Sequence, residues 1–198
     1  MHHKGIVSEL REAMLDMMND DRYRFDDLAR MLALEPDLIL YLLKQANEKR
    51  PDQEHRPTSI LSIVDILGSG RIETVISESV VFSDEHGTRR RHMVSRYGQA
   101  HLSAIIAERM FPGLTHVPRT YFLAGLLVDI VSFEYFVEAC HPDLCKALLS
   151  LAKSGGVLKE ARALRNFFER GMQTDHAIFA GWTAVTARAH AVLFHSES

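Results

Sequence analysis

The chain has 198 residues, of which 46% are hydrophobic and 25% charged, enough apolar material for one sizeable core or two small adjoining ones and incompatible with wholesale disorder. Lys and Arg number 23 against 26 Asp and Glu, a formal charge of -3, so no global field draws the molecule toward DNA or acidic lipid. The most apolar stretch, Tyr121 to Cys140, is interrupted by Asp129, Glu134 and Glu138 and falls short of the about 20 predominantly apolar residues that a membrane span requires.

Met1-His2-His3-Lys4 is followed at once by Glu9, Arg11 and Glu12. That start lacks the apolar middle and small-residue cleavage site of a secretory signal, and the expectation is a cytoplasmic protein. Ile6, Leu10, Met14 and Met17 recur at helical intervals and predict an amphipathic helix ending near Asn19. After the polar break Asp20-Asp21-Arg22, Asp26 and Asp27 favour a helix start, and Leu28, Met31 and Leu32 give that helix its apolar face. Pro36 ends it and opens the next. Leu38 to Leu43 is apolar on every side, which a helix tolerates only when other elements surround it, so this segment should be central to the first half.

Glu48 to Pro57 is polar, holds two prolines and has no periodicity, the pattern of a loop. Ser59 restarts the helical spacing, and Ile60, Ile63, Val64 and Leu67 lead to Gly68, a residue suited to the left-handed conformation that ends helices. A further helix is predicted from Arg71 to Phe82. Ser83 to Arg91 contains Gly87 and the run Arg89, Arg90 and Arg91 among polar residues, and it is the expected boundary, near residue 88, between subdomains at 1–88 and 89–198. Helical segments follow at 92–110, 119–139, 142–153 and 157–170, separated by Pro112-Gly113, Pro142 and Gly155-Gly156, with a last one at 175–195. No alternating run is long enough to predict a strand, and no fixed-period repeat is present. The expected fold class is all-α with about ten helices.

Cys140 and Cys145 are too few for a disulfide framework and are not in CxxC spacing, so they read as packing residues. There is no GxxxxGK[ST] loop, GxGxxG fingerprint, GxSxG elbow or HExxH pair. His92, His116, His141, His176, His190 and His195 are scattered over different segments and read as surface or hydrogen-bonded histidines. Residues 27–45 mimic a helix-turn-helix, but a recognition helix presents polar side chains to base edges, whereas Leu38 to Leu43 offers none. Arg89, Arg90, Arg91 and His92 form the one concentrated basic patch. A single short cluster in an acidic chain reads as a solvated loop or docking site, and nucleic acid is not an expected partner.

Three motifs occur in a meaningful order. The first is Leu28-x-x-Met31-Leu32-x-x-Glu35-Pro36-Asp37-Leu38 with Leu42-Leu43-x-x-Ala46-Asn47, the second Ser59-Ile60-x-x-Ile63-Val64-x-x-Leu67-Gly68, and the third Ala124-Gly125-Leu126-Leu127-Val128-Asp129-Ile130. Together they resemble HDOD domains, a degenerate branch of the HD phosphohydrolase superfamily; Ile63 stands where that pattern has a small alanine. Asp175-His176-Ala177 and Ala191 to His195 are weaker echoes. The resemblance implies an N-terminal helical subdomain packed on an HD-like helical half.

In HD hydrolases, histidines and aspartates hold a metal that lowers the pKa of bound water and clamps a phosphate. By the resemblance, the motif histidine falls at Val128 and the earlier histidine at Gln99, leaving Asp129 alone. One carboxylate does not replace three or four convergent ligands, so Gln99, Val128 and Asp129 are expected to be a vestigial site, with no metal or other cofactor. His101 lies two residues past Gln99 and about 200° around the helix. It and Arg89, Arg90 and Arg91 remain candidate ligand or docking residues. The implied function is a non-catalytic signalling or regulatory module, with a protein partner of a bacterial-type signalling pathway or a phosphorylated or nucleotide-like ligand in the former metal cleft. The alternative is a metal-dependent phosphohydrolase with an atypical ligand set around Asp129.

Overall fold

The computed structural model describes residues 5–20, 22–82, 87–111, 119–130 and 140–170. Along them run β1 (Gly5–Val7), α1 (Ser8–Met18), α2 (Phe25–Leu32), α3 (Pro36–Lys49), a 3-10 turn (Gln53–His55), α4 (Ile60–Leu67), α5 (Ser69–Ser77), β2 (Val80–Phe82), α6 (Gly87–Met110), α7 (Thr120–Leu127), α8 (Pro142–Ser154) and α9 (Gly156–Arg170). The fold is all-α, with nine α-helices among the described residues. The helix expected at 175–195, with His176, His190 and His195, lies outside them, as do His116 and residues 131–139. No helix among the described residues is long and apolar enough to cross a membrane.

Helix ends follow local chemistry. Asp26 and Asp27 occupy the first turn of α2 and Arg30 its last, each on the side the helix dipole favours. Pro36 starts α3, where its missing N–H costs nothing. Ser59 and Ser62 form a reciprocal capping box at the start of α4. Gly68, with φ 79° and ψ 158°, separates α4 from α5 in a mirror-extended conformation open essentially to glycine alone, rather than in the left-handed helical one. At α8 the ring Nδ1 of His141 accepts the Asp143 N–H at 3.1 Å, and Gly155 closes the helix with φ 58°. Its φ and ψ are those of a left-handed cap.

Besides the helix expected at 119–139, which stops at Leu127 with residues 128–130 in a turn, three boundaries differ from the sequence expectation. Ile6 belongs to a strand, not to the first helix, and the helix expected to reach Phe82 stops at Ser77. Residues 80–82 instead pair in parallel with residues 5–7, Ile6 opposite Val81, which gives the backbone of both short apolar runs hydrogen-bonding partners. Arg11 reinforces the join by donating from Nε and Nη2 to the carbonyl oxygens of Ile76 and Ser77 at 3.2 and 2.7 Å. The third difference is α6, which starts at Gly87, so the backbone of Arg89, Arg90 and Arg91 is helical and not a loop. Their side chains, and that of His92, lie outside the described residues.

α3 is enclosed as its composition requires: Leu38, Ile39, Leu40, Leu42 and Leu43 are all buried. The core is continuous across residue 88. Ile6, Leu38, Ile39, Ile63, Leu123, Leu126, Leu144 and Leu151 belong to one connected set of buried side chains. α6 packs on α7 and α9, and α7 on α8.

Candidate functional site

α6 passes through the interior, and residues 97–104 are buried without a break. A helix buried on all sides must place its polar side chains against specific partners, and α6 does so on two faces. On one face Gln99 Nε2 donates to Asp129 Oδ2 at 2.6 Å, and the Gln99 carbonyl accepts the Ser103 hydroxyl at 3.0 Å. Asp129 is exposed in the turn that follows α7. Val128 beside it is half-buried and packs on the core.

The close approach of α6 and α7 depends on Gly125. A Cβ there would lie 2.6 Å from the Ser103 carbonyl oxygen and 2.7 Å from the Ala104 Cα, both unyielding backbone atoms. Hydrogen in place of a side chain lets the two helices meet, and this brings the turn carrying Asp129 to Gln99.

The other face of α6 meets the corner between α2 and α3. Tyr97 Oη donates to Asp37 Oδ2 at 2.9 Å; burial, with the negative charges of Glu35 and Asp37 adding to it, pushes the phenol far above its ordinary pKa. His101 is buried with Nδ1 3.4 Å from the Ala33 carbonyl oxygen, and its ring stands edge-on to Phe122 at 5.7 Å and 85°. His101 therefore faces away from Asp129, as the two-residue offset from Gln99 requires. At the end of α6, Glu108 Oε2 accepts the Phe122 N–H in the first turn of α7 at 3.0 Å. Burial raises the Glu108 pKa, opposed by that hydrogen bond and by Arg119.

Of the sequence candidates, the structure joins Gln99 to Asp129, sets Val128 next to them and sends His101 elsewhere. This arrangement does not fit a divalent metal. The amide of Gln99 presents a proton donor to the carboxylate, and Val128 has no lone pair. Among the described residues no group of three or more His, Cys, Asp or Glu side chains is placed to hold a metal ion. Cys140 is buried, and its thiol is pushed up to about 12, chiefly by burial; a thiol that stays protonated is a packing group rather than a nucleophile. The Tyr97–Asp37 and Glu108–Phe122 contacts were not foreseen. Only the placement of polar residues on both sides of Gln99 hinted that α6 has two buried polar faces.

A family model described as HDOD domain matches residues 6–197. No curated protein and no solved structure matches the chain.

Proposed function

The chain belongs to the HDOD domain family, and on that premise we propose that it is a cytoplasmic regulatory module without catalytic activity. It acts by contact with a protein partner of a bacterial-type signalling pathway, or by holding a small phosphorylated or nucleotide-like ligand at the former metal cleft. The observation that supports this reading is the 2.6 Å hydrogen bond from Gln99 to Asp129. Metal-assisted hydrolysis needs several lone pairs converging on one point and a bound water whose pKa the metal lowers. Here a side-chain amide serves the carboxylate instead, and the bond fastens α6 to the turn after α7 without an ion. Fold kinship alone does not decide activity; the chemistry of these three positions carries the argument.

Phosphomonoesterase and phosphodiesterase assays on the full chain, with manganese, iron or magnesium supplied, test the proposal. The expected result is no turnover above buffer for either the wild type or Asp129→Ala. Metal-dependent turnover that disappears in Asp129→Ala would establish the hydrolase alternative in its place.

A further inference from the structure

We draw no further inference here: the strongest candidate, the Cys140–Cys145 pair at the start of α8, carries nothing because burial raises the pKa of both thiols and the contact between them runs from the Cys145 sulfur to the Cys140 carbonyl oxygen, at 3.9 Å, rather than to its sulfur.

Discussion

Gly125 and Glu108 show how single residues hold α6 against α7. Since a Cβ at Gly125 would sit 2.6 Å from one backbone atom of α6 and 2.7 Å from another, Gly125→Ala must push the helices apart. Its expected cost is about 1–3 kcal/mol or more, read as a lower denaturation midpoint in urea, and it should weaken the Gln99–Asp129 contact. Glu108 gives a pH signature. Its pKa is raised above the ordinary 4.5, chiefly by burial, so the folded state holds a proton that the unfolded state has released. That makes the wild type lose stability as pH climbs from 4.5 through the raised value. Glu108→Gln keeps an oxygen for the Phe122 N–H and has nothing to titrate. Its melting temperature relative to wild type should therefore be higher at neutral pH than at pH below 4.5, and a constant difference across that range would refute the assignment.

Among elements, α6 joins the corner between α2 and α3 to α7 and the turn after it through polar contacts. The bond from Tyr97 to Asp37 is its clearest link to α3. Tyr97→Phe removes the donor and nothing else, and the expected loss is about 1.5–3 kcal/mol for a hydrogen bond to a charged group, measured by chemical denaturation. A loss near zero would mean that water replaces the phenol at Asp37. Helix boundaries set by local chemistry were legible in the sequence: Pro36, Ser59, Pro142 and Gly155 act through their own backbones and nearest neighbours. The pairing of residues 80–82 with 5–7 was not legible, because three apolar residues carry no readable period and their partner lies at the far end of the first half. The same limit hid the start of α6. Arg89, Arg90 and Arg91 have the composition of a loop, and they enter the helix although the dipole disfavours positive charge in a first turn.

At the scale of the whole molecule, one connected core runs from Ile6 in β1 to Val157 in α9. Ile6 is completely buried, so the N-terminal strand is part of that core rather than an appendage. Ile6→Ala should cost about 2–5 kcal/mol, seen as a lower unfolding midpoint, whereas an N-terminus merely resting on the surface would lose well under 1 kcal/mol. The candidate site was half visible beforehand. The family resemblance placed Gln99, Val128 and Asp129 together as positions, and Gln99 and Asp129 do meet. That an amide proton joins them followed only from the distance.

On the proposed function, the Gln99 amide stands where a metal ligand would be needed. Inductively coupled plasma mass spectrometry of the purified, chelator-free chain, with Asp129→Ala beside it, tests that claim most directly. No stoichiometric iron, manganese or zinc is expected in either protein. One equivalent of such a metal in the wild type, lost in Asp129→Ala, would contradict it and make the former cleft a working metal centre.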